Sequence, residues 1–81
     1  MDTKEMIKCE DVVLEFLRKH PDVTVMLQYD AAAKSWVVGM NRSKSDFFRK
    51  VCFLINCESK HPHEELHDRM NYEYETRMKE E

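Results

Sequence analysis

Two cysteines and three histidines lie close together in the second half of the chain, and they raise the question of a metal site. Zinc needs four thiolate or imidazole ligands in a tetrahedron, and His63 and His67 have the spacing of a ligand pair on one helix. The spacing of Cys52 and Cys57, inside an apolar stretch, is poor for a metal-binding turn. We therefore predict no metal and no cofactor. The alternative is a zinc-stabilised module that uses Cys57, His61, His63 and His67.

A basic segment occupies the middle of the chain, where residues 34–50 carry five bases against a single acid, Asp46. Basic side chains at the start of a helix can bind phosphate, and a nearby aromatic ring can stack on a nucleobase. The net charge of −3 argues against this use, because nucleic-acid binders usually have a basic footprint overall. Nucleic-acid binding is thus an alternative, less favoured function, through Arg42, Lys44, Arg49, Lys50 and Trp36.

No arrangement of residues typical of catalysis is found. The sequence has no nucleophile beside an identifiable base, no pair of carboxylates in a recognisable setting and, with the single glycine Gly39, no glycine-rich phosphate loop. A chain of this size also has little volume for a pocket. We predict no catalytic residues and a protein that is not an enzyme.

The last predicted helix combines aromatic and methionine side chains with many acids. Tyrosine gives a large amphipathic contact area, and methionine adapts to irregular partners. The simpler interpretation is that Leu66, Met70 and Tyr74 pack inward while the acidic face is solvated. Inward packing of this stripe is compatible with a contact surface on the acidic face. We predict that this helix binds a protein partner through Met70, Tyr72, Glu73, Tyr74 and Glu75.

The composition indicates the kind of domain that positions these residues. The chain has 81 residues, 42% of them hydrophobic and 36% charged, with one glycine and two prolines. This predicts a single domain over residues 1–81, built from helices with few turns rather than a β-sandwich or barrel. No apolar run is long enough for a membrane span, and residues 1–5 lack the basic and then apolar segments expected of a secretory signal. Three cysteines, an odd number, fit reduced thiols, so we predict a cytoplasmic protein without membrane contact.

Periodicity predicts an α+β fold in the order α-β-β-α-α, with a two-stranded antiparallel hairpin packed on helices. A capping box and apolar residues at steps of three and four predict a first helix over about 3–20, ended by Pro21. Alternating β-branched residues predict strands over about 23–29 and 35–40. An apolar core helix over about 44–57 and a charged helix over about 62–79 complete the prediction.

The sequence shows no resemblance to a known family. A double-stranded-RNA-binding layout needs a third strand between its helices, and the predicted elements leave no room for one between Met40 and Asp46. We predict a small non-enzymatic protein-interaction module of unidentified partner: a regulator, an adaptor or a phage-type inhibitor of a larger protein, which itself could process nucleic acid. A two-stranded sheet is too small to be stable alone, so we also expect a homodimer that pairs hairpin edges or the last helices.

Overall fold

The computed structural model describes residues 3–44 and 47–79, and of residues 43, 44 and 47–49 the backbone only. It contains a three-stranded antiparallel sheet and two α-helices, in the order helix, three strands, helix. The chain is therefore a small α+β fold. The elements are α1 (Thr3–Lys19), β1 (Val23–Asp30), β2 (Ser35–Lys44), β3 (Phe47–Asn56) and α2 (Pro62–Glu73), with a π-helical turn (Tyr74–Met78) after α2.

Helix α1 ends where the sequence predicts. The amide of His20 still donates to the carbonyl of Phe16 at 3.0 Å, and Pro21 then prevents continuation. Arg18 and Lys19 occupy the last turn, where cations favour the negative end of the helix dipole. The next helical segment, predicted over 62–79, is also present, as α2 followed by the π-helical turn to Met78.

The turn between β1 and β2 is made by its flanking residues rather than by its three alanines. The Oδ1 atom of Asp30 accepts hydrogen bonds from the amides of Ala32 and Ala33, at 3.0 and 3.1 Å. Lys34 takes the left-handed conformation with φ of 51°. Asp30 thus supplies the turn chemistry that the alanines lack. It fixes the register from Asp30 opposite Ser35 to Val23 opposite Arg42.

The predicted core helix over 44–57 is wrong, because this segment is strand β3, paired with β2 from Ser35 opposite Asn56 to Lys44 opposite Phe47. A short apolar run does not distinguish a buried helix from a strand by periodicity alone. In the strand, Val51, Phe53 and Ile55 are buried whereas Cys52 and Leu54 are exposed. The sheet also has three strands and not the predicted two, because β3 pairs with β2 and makes it the central strand.

The core lies between one face of the sheet and the two helices. Alternate residues of each strand point into it, as the two-residue period of a strand requires. The helices add residues at helical spacing, and Met78 closes the core from the π-helical turn. The buried apolar side chains are Cys9, Phe16, Val23, Trp36, Val38, Met40, Val51, Phe53, Ile55, Leu66, Met70 and Met78.

Candidate functional site: two grooves at the sheet edges

An apolar groove, here called the α1–β1 groove, runs between the first helix and the first strand. Its lining residues are Glu10, Val13, Leu14, Leu27 and Trp36. Leu14 is 52% exposed, and Ile7, which is also 52% exposed, lies seven residues earlier on the same helix face. Exposed Tyr29 contacts the ring of Trp36 edge-on at 5.4 Å between centroids.

Glu10 gives this groove a negative charge. Across residues 3–44 and 47–79 it makes no ion pair or hydrogen bond through its side chain, so its carboxylate is open to a ligand. The groove therefore offers aliphatic and aromatic surface together with one carboxylate. A ligand that matches it is apolar and carries a cation.

A second groove, here called the β3–α2 groove, lies at the opposite edge of the sheet. Leu54 of β3 is 60% exposed and Tyr72 of α2 is 59% exposed, and both line it. The remaining lining residues are Ile55, Glu65, Asp68 and Arg69. This groove is more charged than the first, and its floor is an edge strand.

The predicted partner-binding residues are divided between interior and surface. Met70 and Glu73 are buried, and Tyr74 packs edge-on against Phe16 at 5.9 Å between ring centroids. Only Tyr72 and Glu75 of the predicted set are exposed. Met70 and Glu73 of α2 and Tyr74 of the π-helical turn therefore pack toward the fold in this structure.

Glu73 is buried as a charge between two arginines of the same helical segment. Its Oε1 accepts a hydrogen bond from Nε of Arg69 at 2.9 Å, and its Oε2 lies 3.3 Å from Nε of Arg77. The Arg69 guanidinium also covers the ring of Phe53 at 5.0 Å. Burial of this carboxylate is offset by the two cations, so Glu73 has a structural role.

The basic segment is only partly available to a nucleic acid. Trp36 is buried, and the buried Arg42 donates from Nε to Asp22 at 2.5 Å and from Nη1 to the carbonyl of Met78 at 2.9 Å. Lys50 is exposed, whereas the side chains of Lys44 and Arg49 lie outside the described residues. Arg42 and Trp36 hold the fold together, and the nucleic-acid alternative is left with Lys50, Lys44 and Arg49.

The structure contains a third strand between its two helices, which is the element order that the double-stranded-RNA-binding layout needs. The lack of a third strand therefore no longer argues against that layout. The charge of α2 provides a different reason. A helix start can bind phosphate through its free amides, but the first turn of α2 carries Glu64 and Glu65. These two carboxylates repel phosphate, and we transfer no RNA-binding function.

The four residues of the zinc alternative do not form a ligand set: the rings of His61 and His63 lie 6.3 Å apart between centroids, but no third donor among the described residues joins them. His63 Nδ1 lies 2.6 Å from Oε1 of Glu5, and His67 Nδ1 lies 3.1 Å from Oδ1 of Asp68. Cys57 Sγ lies 4.0 Å from the carbonyl oxygen of Ile55, and burial raises the pKa of its thiol. In the part of the chain that the structure describes, no three His, Cys, Asp or Glu side chains are placed to hold a metal ion.

Sequence reasoning did not single out Ile7, Glu10 or Leu14, and it assigned Trp36 of the α1–β1 groove to the nucleic-acid alternative. A signal for them exists, because the core face of α1 is formed by residues at steps of three and four, including Cys9 and Phe16. Ile7 and Leu14 fall beside that face. Apolar residues left off the core face of an amphipathic helix indicate a contact surface.

No family model, curated protein or solved structure matches this chain. Among the described residues, no helix is long and apolar enough to cross a membrane.

An aromatic cluster beside the buried arginine makes stability depend on pH. The ring of His20 lies 3.9 Å from that of Tyr74 and 4.6 Å from that of Phe16, between centroids. Burial lowers the pKa of His20 below 6.5, and the nearby cation of Arg42 acts in the same direction, although Asp22 opposes it. The unfolded chain therefore binds a proton at His20 at a higher pH than the folded chain.

We expect the stability contributed by neutral His20 to be complete above pH 6.5 and to be lost as the pH falls through the lower, folded-state pKa. Urea unfolding at about pH 7.5 and about pH 5 should show a larger loss of stability in the wild-type protein than in His20→Gln. The other three histidines are common to both proteins, so their contributions cancel. Equal losses in the two proteins would mean that His20 titrates as it does in water.

Proposed function

We propose that this chain is a non-enzymatic protein-interaction module that binds an apolar segment of another protein in the α1–β1 groove. The observation that carries the proposal is the half-exposure of Ile7 and Leu14 on one helix face, beside a groove lined by Leu27 and Trp36. Covering such side chains stabilises a complex by about 25 cal/mol per Å² of apolar surface removed from water, before the costs of association.

The mixture of side chains supports a protein partner rather than a small polar ligand. Aromatic residues are enriched at the centres of protein interfaces, and the exposed ring of Tyr29, packed edge-on against the buried Trp36, supplies one beside this groove. The free carboxylate of Glu10 then selects a partner with a lysine or arginine next to its apolar residues. Complementary charge adds specificity and a faster encounter more than it adds affinity.

The narrower roles of regulator, adaptor or inhibitor stay predictions. A reducing compartment such as the cytoplasm is part of the proposal and is supported by the three cysteines, all of which are free thiols. Burial raises the pKa of Cys9 to about 11, so this thiol is protonated and unreactive at neutral pH.

A selection from a library of random peptides displayed on phage tests the proposal without knowledge of the natural partner. We expect enriched peptides to combine apolar residues with a lysine or arginine. Leu14→Lys should weaken their binding about tenfold or more, because it places an ammonium group in the apolar contact. The change should alter the free energy of unfolding by no more than about 0.5 kcal/mol, since Leu14 is half-exposed.

Leu54→Lys is the matched control. It makes the same change at a similarly exposed leucine, but in the β3–α2 groove at the other edge of the sheet. Peptide binding should survive it. If the selected peptides bind the Leu14→Lys and wild-type proteins equally well, or if the selection enriches nothing, the α1–β1 groove is not the binding site.

A further inference from the structure

The outer edge of β3 is a free template for another strand. The strand order β1-β2-β3 leaves β3 at an edge, and it is ten residues long. Within the described residues, the backbone of residues 50–55 makes no hydrogen bond apart from its pairing with β2. Natural edge strands are usually protected by a charge, a proline, a bulge or a short length. Two charged residues, Arg49 and Lys50, lie in the first half of the strand, whereas the run from Val51 to Ile55 carries no charge or proline and its register with β2 is unbroken.

One face of α2 lies along this edge and forms the wall of the β3–α2 groove. Glu65, Asp68, Arg69 and Tyr72 are spaced by three, four and seven residues from the first, so they form one face of the helix. The Asp68 side chain is 84% exposed, and its Oδ1 lies 3.1 Å from Nδ1 of its neighbour His67. Arg69 uses Nε for Glu73, and its remaining guanidinium N–H groups point to no acceptor among the described residues.

The charges along this face are complementary to those of a second copy of the helix that runs in the opposite direction. A two-fold axis that crosses α2 between residues 68 and 69 runs the helix of a second copy antiparallel to the first. It places Asp68 next to the partner subunit's Arg69, and Glu65 next to the partner subunit's Tyr72, whose hydroxyl can donate to a carboxylate. The reciprocal contacts follow from the symmetry, so each acid of one row meets a donor of the other.

We infer that the β3–α2 groove binds a second copy of this chain. The two β3 strands pair antiparallel across the two-fold axis and join two three-stranded sheets into one, while the two α2 helices contact each other through the row described above. This arrangement satisfies the hydrogen-bonding edge of β3, covers the exposed side chain of Tyr72 between the helices and places Leu54, on the open face of the sheet, beside the strand of the second copy. It uses a surface separate from the α1–β1 groove.

Sedimentation equilibrium over a range of protein concentrations tests the inference. The wild-type protein should be a dimer. Leu54→Lys should raise its dissociation constant about tenfold or more, because lysine on an edge strand opposes pairing. Asp68→Lys should act in the same direction, since it places a cation against the partner subunit's Arg69. Leu14→Lys makes the same change as Leu54→Lys outside this groove, and Glu64→Lys reverses an acidic charge on α2 outside it, as Asp68→Lys does within it. Both controls should leave the dimer intact.

Amide hydrogen exchange identifies the surface that is used. In the dimer, the outward-facing amides of residues 50–55 should exchange slowly, and Leu54→Lys should make them exchange faster without changing the amides of β1. A wild-type monomer at the highest soluble concentration would overturn the inference. So would a dimer that survives Leu54→Lys and Asp68→Lys, or one that is lost in Leu14→Lys. Peptide binding by the α1–β1 groove is measured separately, so the dimer and the peptide-binding proposal can each be refuted without the other.

Discussion

Truncation of Phe53 to alanine is expected to lower the free energy of unfolding by about 3–5 kcal/mol. Phe53 lies in the middle of β3 with 5% of its surface exposed, and the guanidinium of Arg69 covers its ring. The substitution removes the buried ring and leaves a cavity between the sheet and α2. Because proteins of this class are stable by only about 5–15 kcal/mol, this loss is a large part of the total.

The neighbouring substitution Leu54→Ala should change stability by no more than about 0.5 kcal/mol, because Leu54 is mostly exposed. Urea unfolding of both variants, at a concentration where the wild-type protein is monomeric, gives the comparison. Adjacent residues with such different effects indicate a strand with one buried face. Similar losses at both positions would contradict the strand and favour the apolar helix. Ile55→Val, with an expected loss of about 0.5–1.5 kcal/mol, provides a measurable value if Phe53→Ala does not fold.

Removal of the carboxylate of Asp22 is expected to cost about 3 kcal/mol or more, since it removes an ionised acceptor that offsets the burial of the Arg42 charge. The Arg42 side chain is 8% exposed and that of Asp22 is 27% exposed. Arg42 also donates to the carbonyl of Met78 and faces the ring of Tyr74 at 5.7 Å. The pair therefore connects the turn before β1, the end of β2 and the π-helical turn.

Two further variants show whether the loss comes from the buried charge. Arg42→Met should cost less than Asp22→Ala, because the Asp22 side chain is more exposed than that of Arg42 and is more easily hydrated once their contact is lost. Glu58→Ala breaks the ion pair with Lys34, in which both side chains are 63% exposed, and should cost less than about 1 kcal/mol. Equal losses for Asp22→Ala and Glu58→Ala, measured by urea unfolding, would contradict a buried pair at Arg42.

The elements with strong local signals could be predicted from the sequence. The cap-x-x-Glu spacing and Pro21 predict α1, the alternating run from Val23 predicts β1, and Pro62 predicts the start of α2. Asp2, the predicted cap residue, lies outside the described residues. The residues around 47–56 could not be assigned in the same way, because apolar side chains on adjacent positions fit both a buried helix and a strand. Pairing with β2 decides the matter, and that pairing is not a local property.

The candidate sites also divide into features with a local sequence signal and features set by long-range contacts. The exposure of Ile7 and Leu14 follows from helix periodicity and could have been predicted once the core face of α1 was assigned. The burial of Arg42 could not, since its partner Asp22 lies 20 residues away and its second acceptor, Met78, lies 36 residues away. Long-range ion pairs depend on the strand register and leave no mark in the local sequence.

The central claim is that the α1–β1 groove binds a protein segment, and an amide chemical-shift map tests it most directly. The labelled protein is titrated with a peptide from the display selection, and each amide is followed. We predict that the shifts concentrate at Ile7, Glu10, Leu14, Leu27 and Tyr29, and that Leu14→Lys abolishes them. Shifts confined to β3 and α2, or to the face of the sheet that carries Met26 and Cys52, would contradict the claim.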